Sequence, residues 1–151
     1  MSEIGFYHLT KQTAERALAR LLGRTLQSGH RAVVLAPDAD RVRALDDALW
    51  QQTDIEWLPH GTARTGDADL QPIWLTETDE FQTGTPNNAD YLFVLDTASA
   101  HLHRFGRIFD LFDGRNPDSV AAARARYKAA RADGHTLAYW QETERGWERA
   151  A

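Results

Sequence analysis

The chain has 151 residues, 42% of them apolar and 26% charged, and no cysteine, the balance of one ordinary soluble globular domain. The missing thiols exclude a disulfide framework, a zinc-thiolate or iron–sulfur centre and a cysteine nucleophile, and a net charge of −5 argues against a dedicated duplex-DNA binder. No apolar run approaches the roughly 20 residues that a bilayer crossing requires, and the opening Met1-Ser2-Glu3-Ile4-Gly5 lacks a secretory signal's basic-then-apolar pattern, so a cytoplasmic protein with no membrane partner is expected.

In chain order, Phe6, Tyr7 and Leu9 favour a first strand over residues 5–9. A helix follows over residues 14–27, with an apolar stripe at Ala17, Leu18, Leu21, Leu22, Thr25 and Leu26, Thr13 as N-cap and Gly29 as terminator. The run Ala32-Val33-Val34-Leu35-Ala36 reads as a strand buried on both faces. Pro37-Asp38 ends it, and Val42, Leu45 and Leu49 mark a second helix finishing near Trp50. This strand–helix alternation predicts an α/β fold: a single Rossmann-like domain with a mostly parallel sheet flanked by helices and joined by right-handed crossovers.

The middle is less regular. Residues 72–76 look like a strand and residues 77–88 like a polar loop, while Tyr91-Leu92-Phe93-Val94-Leu95 is a second strand buried on both faces. Residues 108–112 form either another strand or the end of a short helix beginning near Ala100, and Asp113-Gly114 marks a turn. The last helix is expected over residues 118–133, capped by Asp118 after Pro117 and stopped by Gly134. A short strand over residues 136–140 completes a domain of residues 1–141. Residues 142–151, polar apart from Trp147, are expected to be a mobile tail.

The first strand–helix turn, His8-Leu9-Thr10-Lys11-Gln12-Thr13, contains no glycine. A dinucleotide fold needs one there so that the backbone can approach the pyrophosphate, and no Gly-rich phosphate loop occurs elsewhere. No cofactor is therefore expected. His101 and His103 would share one strand face and could begin a metal site, but no third ligand follows at a suitable spacing, and two solvated histidines are the plainer reading. Asp96 stands where α/β enzymes place catalytic carboxylates, beyond the C-terminal end of a strand. Paired with His60 or His101 it supports an alternative reading as a nucleotide- or metal-dependent enzyme, against which stands its reading as a helix cap. No serine, threonine or carboxylate near His60 makes a recognisable dyad with it, and it reads as a turn residue.

The strongest local signal is in the last helix. Residues 118–133 carry four basic side chains and two acidic ones, the acids at the ends, within a chain whose first 114 residues are net acidic. Spacings of three and four group Arg124, Tyr127, Lys128 and Arg131 on one side, with Val120, Ala123 and Ala130 facing the sheet. Such a face attracts a carboxylate or phosphate, with tyrosine as an apolar platform, although a solvated helix face carries the same pattern. Trp50 and Trp57 read as core, or as walls of a shallow groove.

Phe6-Tyr7-His8-Leu9, residues 29–35, Leu45-Asp46-Asp47-Ala48-Leu49-Trp50 with Trp57-Leu58-Pro59-His60, Gln71-Pro72-Ile73-Trp74-Leu75, residues 109–113 and Arg124-Ala125-Arg126-Tyr127-Lys128 occur in one order. Together they resemble the chi subunit of bacterial DNA polymerase III over residues 4–140. The resemblance implies a non-catalytic accessory subunit associated with the clamp loader. Such a subunit joins the polymerase to single-stranded DNA-binding protein by gripping that protein's acidic C-terminal tail, which ends in Pro-Phe. It also implies a psi-subunit partner and only indirect contact with DNA. Carried over by position, the tail pocket falls on Trp50, Phe112, Arg124, Tyr127 and Lys128. The stretch between Gly134 and Trp140 is shorter than the family pattern, which leaves open whether residues 136–139 line the pocket.

Overall fold

The structure, a computed structural model, describes residues 2–51 and 58–151. Its strands are β1 (Glu3–Leu9), β2 (Ala32–Leu35), β3 (Gly61–Thr62), β4 (Ile73–Thr76), β5 (Tyr91–Leu95), β6 (Arg107–Asp113), β7 (Thr136–Thr143) and β8 (Gly146–Arg149), and its helices are α1 (Ala14–Gln27), α2 (Ala39–Gln51) and α3 (Pro117–Ala132). They form one eight-stranded sheet in the order β3-β4-β2-β5-β6-β1-β7-β8, parallel throughout except for the β7–β8 pair. This is the predicted Rossmann-like α/β domain.

Chain direction through the sheet decides where the helices go. The connections from β1 to β2 and from β2 to β3 both move toward the β3 edge, whereas that from β6 to β7 moves toward the β8 edge. Right-handed crossovers in opposite directions place their helices on opposite faces. Accordingly α1 and α2 bury Leu18, Leu22, Val42, Leu45 and Leu49 with Val34, Leu75, Phe93 and Leu111 on one face. On the other face α3 closes over Ile4, Phe6, Ile108 and Phe112. The rest of that second face is covered by loop residues Phe81 and Phe105, both fully buried. Each such side chain removed from water contributes roughly 1.5–3 kcal/mol before the entropy of ordering is counted.

Several expectations are refined. α1 has the predicted bounds: the Thr13 hydroxyl accepts from Arg16 N at 3.2 Å, and Gly29, with φ +84°, ends it. α2 begins where the Asp38 carboxylate accepts from Arg41 N at 2.7 Å. Residues 107–113 are a strand, and only a single turn at Leu102–Arg104 is helical. The N-cap of α3 is Asn116, whose side-chain oxygen accepts from the amides of Asp118 and Ser119; Asp118 lies inside the first turn and Pro117 occupies the first helical position, where its missing N–H costs nothing. The polar loop is anchored by the fully buried Asn87, whose amide donates to the carbonyls of Ala32 and Gln71, both at 3.0 Å.

The largest difference is at the C-terminus. Residues 142–149, expected as part of a mobile tail, extend β7 to Thr143 and fold back as β8, with Trp140 opposite Arg149 and Glu142 opposite Trp147. Trp147 packs edge-on against Tyr7, ring centroids 5.2 Å apart. The Glu142 carboxylate accepts from the backbone amides of Thr10, Lys11 and Gln12 at 2.7–3.1 Å, tying the hairpin to the β1–α1 turn. No helix among the described residues is long and apolar enough to cross a membrane.

Candidate functional site

Ala123 and Ala130 let α3 approach the sheet closely, with Val120 and Tyr127 packed beside them. Arg124, Lys128 and Arg131 then project into solvent, and none of the three makes an ion pair among the described residues. Arg126 is used differently. It turns inward, and its Nε and Nη2 donate to the two Asp110 oxygens at 2.7 and 2.9 Å, a two-pronged pair almost closed to solvent. Burial pushes the Asp110 carboxyl up even against the pull of Arg126.

Next to α3 the sheet presents a cluster of rings. Phe6, His8, Phe112 and Tyr139 occupy the α3 face of β1, β6 and β7. Tyr127 meets Phe6 at 5.1 Å and Tyr139 at 6.2 Å, Phe112 meets His8 at 5.2 Å and Tyr139 at 6.0 Å, and His8 Nδ1 lies 2.6 Å from the Tyr139 hydroxyl. Burial lowers the His8 pKa and raises that of Tyr139, and the nearby Arg124 charge lowers both. Arg124 thus acts electrostatically on the polar atoms of the ring cluster. A guanidinium beside rings, with a lysine on the same exposed side of the helix, suits a ligand that pairs carboxylates with an apolar group.

The same end of the sheet explains the absence of a nucleotide loop. β1 and β6 are neighbours whose crossovers leave in opposite directions, which makes the space beyond their C-terminal ends the switch point where nucleotide-binding α/β folds open a crevice. Here Gly114 N donates to Leu9 O at 2.6 Å, and the His8 ring fills the position a Cβ on Gly114 would take, 1.9 Å from it. The chain after β6 is thereby held against the end of β1.

Of the predicted site residues, the structure gathers Tyr127 and Phe112 in the ring cluster and sets Arg124 and Lys128 on the exposed side of α3. Phe112 is only 1% exposed, so it backs the cluster from beneath. Trp50 is 54% exposed, but it ends α2, which packs on the opposite face of the sheet, and its ring lies against His60 at 4.4 Å. Nothing described joins it to the α3 group. Trp57 lies outside the described residues.

His60 is buried, with Nδ1 2.7 Å from Leu58 O and Nε2 2.8 Å from Asp46. Both ring nitrogens are engaged, and the carboxylate partner comes from α2. Asp96 is exposed at φ +51°, and His101 packs against Phe81 and His103. No three His, Asp or Glu side chains among the described residues gather as metal ligands would. Phe6 and His8 are cluster members that sequence reasoning did not assign to the site, and Tyr139 lies in the stretch it left open. Period-two alternation puts His8 on the Phe6 face, but the β1–β7 register that brings Tyr139 beside it is a long-range pairing.

Fold and site together define a Rossmann-like α/β domain that keeps a nucleotide binder's sheet without its phosphate loop. A protein-family model described as DNA polymerase III chi subunit, HolC, matches residues 1–138, and the chain belongs to that family. A curated relative, the probable DNA polymerase III subunit chi of Rickettsia prowazekii (strain Madrid E), is 30% identical over 95 residues, covering 63% of this chain and 55% of that protein. The match thus spans about half the length of this relative.

Proposed function

We propose that this protein is a non-catalytic accessory subunit of the replicative DNA polymerase III holoenzyme, associated with the clamp loader, and that it links the enzyme to single-stranded DNA-binding protein by holding that protein's acidic C-terminal tail. One observation carries the reading: Arg124, Lys128 and Arg131, without an ion pair among the described residues, stand on the exposed side of α3, and Arg124 is near enough to His8 and Tyr139 of the ring cluster to act on both. A tail of aspartates ending in phenylalanine brings carboxylates and an aromatic ring together, the two chemistries this surface offers. Arg124 and Lys128 hold carboxylates, Tyr127 and Tyr139 wall the apolar part, and Phe112 supports them from below.

Trp50, on the other face, is outside this arrangement. It is available instead to a second partner, and a psi-type subunit is the one that family membership suggests. Contact with DNA then runs chiefly through the bound protein. The test is co-sedimentation of the protein with single-stranded DNA-binding protein, intact and shortened by its terminal residues. Retention by the intact form alone is expected, and equal retention of both would refute tail recognition.

A further inference from the structure

The face of the sheet covered by α1 and α2 is open at its β8 end. Two shallow depressions lie there, about 210 Å³ and 310 Å³, the first lined by Gly5, Tyr7, Arg107, Ala138, Trp140 and Arg149 and the second extending past Tyr7 to Tyr91 and Arg24 of α1. Small residues make the floor: Gly5 is in register with Ala138, and the Tyr7 ring lies so flat over Gly5 that a Cβ there would stand 2.8 Å from its Cε1. Trp140 shares this face with Arg149 directly opposite on β8. The Arg107 charge lies close enough to the Tyr7 hydroxyl to lower its pKa against the effect of burial, and its guanidinium carbon lies 5.1 Å from the Phe109 ring centre.

The charges here are predominantly positive. Arg24, Arg107 and Arg149 are all exposed and pair with no side-chain carboxylate among the described residues, although Arg149 Nε donates to Ala151 O at 3.1 Å. Of the nearby acids, Glu142 is spent on the amides of the β1–α1 turn, Asp90 is paired with His30 at 2.9 Å, and Glu3 remains on the rim. Arg107 and Arg149 stand three strand spacings apart and four residues out of register, about 20 Å, a span of a few nucleotides in an extended strand.

We infer that this open sheet face is a second, weaker binding surface, and that its occupant is a short single-stranded nucleic acid, with phosphates on the three arginines and a base on Trp140 over the Gly5–Ala138 floor. Flat rings on a shallow floor suit base planes, which an acidic peptide does not supply, and no ridge or helix projects as duplex recognition requires. The surface is distinct from α3, so the two readings stand or fall separately.

The test is fluorescence anisotropy with a labelled oligothymidylate of about 12 nucleotides. Binding is expected at low ionic strength, with log K falling against log salt at a slope of about −2, since each single-strand phosphate contact contributes about −0.7. Arg24→Ala with Arg149→Ala, both at exposed positions, should weaken it at least about tenfold, while Arg124→Ala with Lys128→Ala leaves it unchanged and Trp140→Phe lowers the fluorescence quenching on binding. No binding at low salt would overturn the inference. So would loss through the α3 pair with the Arg24 and Arg149 variants unaffected, or an acidic tail peptide that loses affinity in those variants.

Discussion

Arg124 and Arg126 are two residues apart on one helix and do opposite things. Arg126 is folded under α3 onto the buried Asp110, so Arg126→Ala leaves a carboxylate without its partner and should cost about 3–5 kcal/mol in denaturant unfolding. Replacing both partners, Asp110→Leu with Arg126→Met, should recover most of that loss, because the pair's desolvation cost disappears with it. Arg124 is exposed and unpaired, and its removal should leave stability within about 0.5 kcal/mol. His8 adds a pH dependence whose sign follows from its burial. Its folded pKa lies below the usual histidine range, so the unfolded chain takes up the proton first, and stability that is full above about pH 6.5 falls as pH drops toward the folded value. Unfolding midpoints measured down through that window should decline in the wild type, and His8→Gln should flatten the decline; an unchanged slope would contradict a half-buried ring whose pKa is lowered by burial.

Among the elements, legibility tracked how local the determining interaction is. α1 could be read to the residue because its cap, apolar stripe and terminator all lie within residues 13–29. α3 could be read on its exposed side because helical spacing alone places Arg124, Tyr127 and Lys128 together, whereas the inward turn of Arg126 depends on a carboxylate 16 residues away in sequence. The part of the β7–β8 hairpin beyond residue 140 escaped because it carries polar side chains on an edge, where period-two alternation fades. Its stabilising contact, Trp147 on Tyr7, spans almost the whole chain. Trp147→Ala should therefore lower stability by about 1–2 kcal/mol, part of the cost of a fully buried aromatic, and accelerate amide exchange across both strands. Exchange confined to wild-type rates would mean that the hairpin stands without that contact.

At the scale of the whole molecule, the alternation of strands and helices was enough to read a parallel α/β sheet, but not which face each helix would cover. Trp50 and Arg124 both lie on helices following buried strands, and only the strand order, with β2 and β7 on opposite sides of the β1–β6 pair, separates them. The net charge of −5 conceals a similar division: an acidic body carries one cationic helix face and, on the other side of the sheet, three arginines from distant parts of the chain. Affinity resting on these few charges should weaken steadily with salt.

The central claim is that α3 and the adjoining rings hold an acidic, phenylalanine-terminated peptide, and calorimetric titration of that peptide into wild type and into Arg124→Ala with Lys128→Ala tests it most directly. Charge-assisted hydrogen bonds of about 1.5–3 kcal/mol each predict that the double variant binds at least about tenfold more weakly at low salt while unfolding as the wild type does. Equal affinity in the two proteins would contradict the account.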